Sequence, residues 1–176
     1  MTALTRQLDH LLADTEGVPA PPPVSWRLRL HAVGRTIRAL RLLKTRGWGP
    51  AHRYHRSLRP GPGWRAIAAL EPRTAILLVR REVLFSQLVL RAMAPHALCL
   101  PRALALGVYL SALGLPAEVV VARERAPTHP RYGFHAWTEL YGDVVNDRPE
   151  VQIGHSVLQR VSTRFPPAGR GPELVQ

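Results

Sequence analysis

Between Ser25 and Gly47, apolar residues recur at three- and four-residue spacing. Trp26, Leu30, Val33, Ile37 and Leu40 form a stripe, and Arg27, Arg35, Arg38 and Arg41 lie largely off it. That period predicts a long amphipathic helix, started by Ser25 as N-cap and stopped at Gly47. Upstream, residues 1–17 read as a short amphipathic helix on Leu4, Leu8, Leu11 and Leu12. The run Val18-Pro19-Ala20-Pro21-Pro22-Pro23 reads as an extended linker, because proline fixes its own φ and restrains the residue before it. Residues Gly47–Gly63 hold four glycines and three prolines and read as an irregular connection. A short helix is expected over Trp64 to Leu70. A longer one is expected from about Arg73 to Met93, apolar on most sides and closed by Pro95. The next begins at Leu100 or Pro101, since proline suits a first helical turn, and ends at Gly114.

After Gly114 the period shortens to two. The β-branched run Ala117–Ala122 predicts a buried strand, and Arg123–Arg131 a polar loop. Tyr132 to Tyr141 alternates, and Val144-Val145-Asn146-Asp147 follows a Gly142-Asp143 turn, which predicts a β-hairpin. The stretch from Pro166 onward reads as a disordered tail. Helices first and strands after give an α+β fold, with N-terminal helices followed by a helix on an antiparallel sheet. The division this implies is a flexible segment and linker over 1–23, a helical region over 24–73, a core over 74–165 and a tail over 166–176.

Composition narrows the classes. A chain of 176 residues can bury a core without staples. Its single cysteine forms no internal disulfide and suits a reducing cytoplasm. No Cys–His cluster has zinc spacing, and nothing calls for a cofactor. Met1 to Glu16 carries three acids and is no signal peptide. The apolar stretch Thr74–Gly114 is broken by Arg80, Arg81, Glu82, Gln87, Arg91 and Arg102, so no transmembrane helix is expected. Lys and Arg number 24 against 12 Asp and Glu, with Lys44 the only lysine. Such a balance fits a nucleic acid, an anionic membrane surface or an acidic partner, and equally a GC-rich genome. No nucleic-acid motif accompanies it, and only 6% of residues are aromatic.

The candidate chemistry centres on Cys99, just before a predicted helix. Thiolate is the nucleophilic form, and a helix N-terminus favours it. Arg102, one turn on, would add to this if it turned toward the sulfur. A lone cysteine among Ala and Leu is ordinarily a small core residue, so the case needs a base and a group to orient that base. His135 lies in the predicted hairpin and Asp147 closes its partner strand. A two-residue loop Gly142-Asp143 would put them on opposite faces. A three-residue loop Tyr141-Gly142-Asp143 would make them diagonal neighbours, and that register is the expectation. His129 and His155 fall in loop-like sequence, His96 is too close to Cys99, and Asp143 suits the turn itself. Trp137 fits either the core or a cleft wall.

Cys99-Leu100-Pro101-Arg102-Ala103-Leu104-Ala105-Leu106, then Gly114-Leu115-Pro116-Ala117, then His135-Ala136-Trp137 with Glu139, then Asn146-Asp147, resemble the leader peptidases of lasso-peptide biosynthesis over about residues 75–150. That family is similar to transglutaminase-like and papain-like cysteine proteases. The resemblance implies Cys99 as nucleophile, His135 as general base and acid, and Asp147 as orienter, with no cofactor. Ala103 stands where the family often has Ser, and Phe134 where it has Ala. The resemblance also implies a precursor peptide as substrate and a separate winged-helix leader-binding protein, since residues 1–73 carry no strand pattern. The basic helix 25–46 is then a candidate docking surface for that partner, the ring-closing cyclase or a membrane. The backbone N–H of Cys99 and the side chain of Gln87 are candidate oxyanion donors. An amide cross-linker using the same triad and a non-catalytic basic adaptor are the rival readings.

Overall fold

The computed structural model describes residues 18–125 and 133–164. The expected helix over 1–17, most of the expected 123–131 loop with His129, and the tail lie outside the described residues. The fold is α+β. In chain order the elements are α1 (Trp26–Arg46), α2 (Trp48–Arg56), α3 (Arg65–Ala68), α4 (Pro72–Met93), α5 (Cys99–Leu113), β1 (Ala117–Glu124), β2 (Phe134–Leu140), β3 (Asp143–Val144), α6 (Val151–Gly154) and β4 (His155–Val161). The strands form one antiparallel sheet in the order β3-β2-β1-β4.

Helix α5 is the centre. Every residue from Ala103 to Leu113 is buried, because α1 and α4 cover it on one side and β1 and β2 on the other. Side chains on both sides of residue 73 share its core: Leu28, Ala32, Ala39 and Leu58 pack with Leu78, Leu104, Leu110 and Leu140. Gly107 marks the closest approach to the sheet, where a Cβ would meet Val119 Cγ2 at 2.4 Å. Gly114 ends α5 in the left-handed region at φ 97°, the conformation glycine adopts without strain.

The stripe that α1 buries is rotated from the one its bulkiest residues mark. Leu28, Ala32, Thr36, Ala39 and Leu40 are buried, whereas Trp26 is 65% and Leu30 58% exposed. Small side chains on this face let α1 lie close against α5, and close packing wins over bulk. The N-cap is as expected: Ser25 Oγ accepts from Leu28 N–H at 3.3 Å. Residues 57–63 are irregular as expected, but the first part of that expected connection is replaced by helix α2. Gly49 and Pro50 occupy its first turn, where no intrahelical N–H bond is lost. Strand β4 was likewise not expected. Its exposures do not alternate, and it forms because the free edge of β1 pairs with it. Helix α4 spans the expected residues but is not buried all round, with Leu84 62% and Leu88 60% exposed.

One buried carboxylate ties three helices together. Glu82, with no exposed side-chain surface, accepts from Arg29 Nε at 3.0 Å and Nη2 at 2.6 Å, and from Tyr109 Oη at 3.1 Å. Arg29 belongs to α1, Glu82 to α4 and Tyr109 to α5. Burial drives the Tyr109 hydroxyl far above its ordinary pKa, and Glu82 adds to that, so it donates as a neutral phenol.

Candidate active site

Cys99 is the first residue of α5, preceded by Leu98 in an extended conformation. It is half-buried, packed beside Ala103, Val119 and Ala136. Its position follows from how short β3 is. Only Glu139 and Leu140 of β2 pair with β3, so the rest of that edge of β2 must find other partners. The amide of Thr138 donates to Asn146 Oδ1 at 2.7 Å, and Val145 N–H returns to Thr138 O at 3.0 Å. Two residues back, the Ala136 amide points to the Cys99 sulfur, as does the Leu100 amide at the helix start. The open edge of one strand and the N-terminus of one helix therefore meet at a single thiol.

His135 flanks that thiol. Its Nε2–H donates to Asp147 Oδ2 at 2.6 Å, which leaves Nδ1 to face the sulfur. Asp147 is steadied by Arg148 N–H, which donates to Oδ1 at 2.8 Å. The pair polarises itself. The hydrogen bond to Cys99, and then Asp147, hold the imidazolium up to about 9 against the opposing effect of partial burial. The hydrogen bond from His135 holds the Cys99 thiol below its ordinary value, again against burial, with the Ala136 and Leu100 amides contributing. The structure brings Cys99, His135 and Asp147 together as one chain of contacts. The arrangement suits a nucleophile, a base and an orienting carboxylate.

The route to this contact is not the expected register. Leu140 pairs with Asp143, so the loop is the two residues Tyr141-Gly142, both at positive φ (54° and 91°). Those angles make the turn whose twist matches a hairpin. The three-residue loop, and with it the diagonal register of His135 and Asp147 on paired strands, is thus replaced. The chain leaves the ladder after Val144, Asn146 anchors to Thr138, and Asp147 reaches His135 from a bend rather than a strand.

Behind His135 lies a support the sequence did not single out. His135, Trp137 and Glu139 share one face of β2 by their two-residue spacing. The His155 ring lies 5.4 Å from that of His135 and 5.8 Å, edge-on, from that of Trp137. His155 Nδ1–H donates to Val151 O at 3.0 Å, which fixes its ring. Trp137 is fully buried, so it belongs to the core and backs the site as well. Its Nε1–H donates to Glu139 Oε1 at 2.7 Å, and Gln152 Nε2 donates to the same oxygen at 3.0 Å. Burial would raise the Glu139 carboxyl, but Arg160, Gln152 and Trp137 outweigh it and hold it below the usual range. The period-two spacing of His135, Trp137 and Glu139 was the available signal for this network. His155 gave none, because β4 itself was not recognised.

The remaining candidates fall elsewhere. Arg102 is not among the groups that lower the thiol; it lines a cleft between α4 and α5 of about 280 Å³ with Gln87 and Asn146. His96 is exposed on the turn between α4 and α5, and Asp143 opens β3. Phe134 is 61% exposed beside His135. A larger cleft of about 690 Å³ runs between α4 and residues 143–152; Asp147 lines it, whereas Cys99 and His135 do not. Among the described residues no cluster of His, Cys, Asp or Glu is arranged to hold a metal ion, and no helix is long and apolar enough to cross a membrane.

No curated protein and no solved structure matches the chain. A family model does, that of the Transglutaminase-like superfamily, over residues 23–160. The match takes in α1 to α6, all three candidate residues and nearly all of β4. This chain belongs to the transglutaminase-like superfamily.

Proposed function

We propose that this chain is a cysteine peptidase that removes the leader from a ribosomally made lasso-peptide precursor, with Cys99 as nucleophile, His135 as base and acid, and Asp147 as orienting group. The observation that carries the chemistry is the continuous contact from Asp147 through His135 to a thiol at a helix N-terminus. The assignment to leader removal rests on the resemblance of residues 75–150, and the superfamily membership supports the chemistry beneath it.

The thiolate adds to the last leader carbonyl, and the oxyanion forms near the start of α5. The backbone N–H of Cys99 is the donor we assign there, acting with the partial positive charge of the helix end. His135, protonated on the face toward the sulfur, gives its proton to the departing amine. A thioester and a free core peptide result. Water then attacks the thioester, His135 takes its proton, and the leader carboxylate leaves as the thiol is restored. On this reading the chain works in the cytoplasm with a separate winged-helix leader-binding protein, and hands its product to the cyclase.

The test is the iodoacetamide alkylation rate of Cys99 from pH 4 to 10, in wild type and His135→Ala, alone and with a leader-binding protein. An inflection well below the free-thiol value of about 8.5 that moves up in His135→Ala supports the pair. A thiol that titrates as free cysteine in both proteins, with and without the partner, overturns it. Product mass from precursor digests then separates hydrolysis, which adds water, from transfer to an amine.

A further inference from the structure

Two clefts flank α4 and meet at one residue. The larger is lined by Arg73, Ile76 and Arg80 of α4 together with the segment 143–149 and Gln152. The smaller is lined by Ser86, Gln87 and Arg91 of α4 with Arg102 of α5. Asn146 lines both, next to Asp147. From Arg73 to Arg91 the helix rises about 27 Å at ~1.5 Å per residue, the length of an extended peptide of about eight residues.

The two ends differ in charge. The Arg73 end contains Asp143 and Asp147 beside its arginines. The far end contains Arg91 and Arg102 and no acidic residue. Arg29 and Arg160 elsewhere are paired with Glu82 and with Glu139 and Glu118. The guanidinium groups of Arg91 and Arg102 have no such partner among the described residues. Arg102 is one turn from Cys99 on the same helix, about 4.5 Å along the axis, which an extended peptide covers in one to two residues.

We infer that this groove takes the substrate as an extended peptide with an acidic side chain seated between Arg91 and Arg102, within about three residues of the carbonyl that Cys99 attacks. The inference rests on reading the site as a peptidase and adds a substrate class to it. The groove supplies two cations with planar donors suited to a carboxylate, and the flanking Gln87 and Asn146 supply uncharged polar contacts. Asn146 sits at the junction and its own side chain is held by the Thr138 amide, so the floor between the clefts is fixed.

The experiment measures binding without turnover. Fluorescein-labelled octapeptides with one Glu scanned through every position, each beside its Gln analogue, are titrated by anisotropy against the full chain carrying Cys99→Ala. The expected result is one or two adjacent positions at which Glu binds about five- to tenfold more tightly than Gln. That advantage disappears in Arg91→Gln with Arg102→Gln and persists in Arg41→Gln, which removes the same kind of charge from α1. Equal binding of Glu and Gln at every position, no binding at all, or a preference that survives the double variant overturns the inference. Alkylation of Cys99 by iodoacetamide does not involve the groove. A failed thiol titration therefore sinks the peptidase reading, and a failed Glu scan with a normal titration sinks the groove alone.

Discussion

Glu82 and Asp147 are both carboxylates held by a nitrogen partner, and they sit in opposite surroundings. Glu82 has no exposed side-chain surface and takes three hydrogen bonds, from α1 and α5. Asp147 keeps 30% of its side-chain surface and faces a histidine that is 28% exposed. A carboxylate with no exposed surface, held by three donors, acts as a fastener; its removal leaves the buried Tyr109 hydroxyl without its acceptor and the partly exposed Arg29 without its partner. A half-exposed carboxylate beside an imidazole can change its neighbour's charge at modest cost, which is what a reaction needs. The helical layer therefore holds its carboxylate as a fixed tie, and the sheet edge holds its own beside a histidine that water can reach.

The largest break in that comparison is at the thiol. Cys99→Ala is expected to lower peptide cleavage by about 10⁴-fold while the urea midpoint moves little, since the side chain is half-buried and small. Cleavage of precursor followed by mass spectrometry, beside a urea melt, checks both halves. Glu82→Ala is expected to do the reverse. It leaves the buried Tyr109 hydroxyl unpaired and the partly exposed Arg29 without its partner, which costs about 2–3 kcal/mol of stability in the same melt, and the pH inflection of Cys99 alkylation stays where it was.

The pH dependence sharpens the contrast. His135 is raised to about 9, so its contribution is complete below its ordinary value and is lost as pH climbs through about 9. Cys99 is lowered, so its contribution is present above its ordinary value and is lost as pH falls through the lowered one. Thiolate and imidazolium thus coexist in the window between. Cleavage is expected to rise out of acid as the sulfur loses its proton and to decline near pH 9 as His135 loses the proton owed to the leaving amine. Alkylation, which needs only thiolate, is expected to rise in the same acid range and then stay level. Asp147→Asn keeps the shape and removes the charge. It is expected to lower cleavage by about 10²-fold and to bring the alkaline limb to lower pH.

How far the sequence reads ahead differs between these two regions as well. Cys99, His135 and Asp147 stand out as candidates because the chemistry needs particular residue types, and Ser25 and Gly114 are legible because caps do too. The long helices and β1 follow from their periods. What the sequence hides is set by packing between distant segments. The buried face of α1 is chosen by closeness to α5, which favours Ala32 and Ala39 over Trp26 and Leu30. Strand β4 exists because β1 has an edge to cover. The hairpin turn places Tyr141 at φ 54°, where a bulky residue is rare, so the common loops pointed to another register. Asp147 reaches His135 all the same, through a bend pinned by Asn146, and His155 enters behind it on a strand that no local pattern announces.

The finest test lies inside the fastener. Tyr109→Phe removes one hydroxyl that donates to Glu82 at 3.1 Å and leaves both bonds from Arg29 in place. Bonds to a charged group are worth about 1.5–3 kcal/mol, and here the carboxylate keeps its counter-ion, so the expected loss is at the low end, about 1.5 kcal/mol in a urea melt. Tyr109 has no exposed surface and the ring is unchanged, so packing around it should not relax. If the loss instead approached that of Glu82→Ala, the phenol rather than Arg29 would be the partner that keeps Glu82 tolerable in the core. If Tyr109→Phe also shifted the Cys99 inflection, α5 would be transmitting strain from its middle to its N-terminus, and the separation drawn between fastener and site would fail.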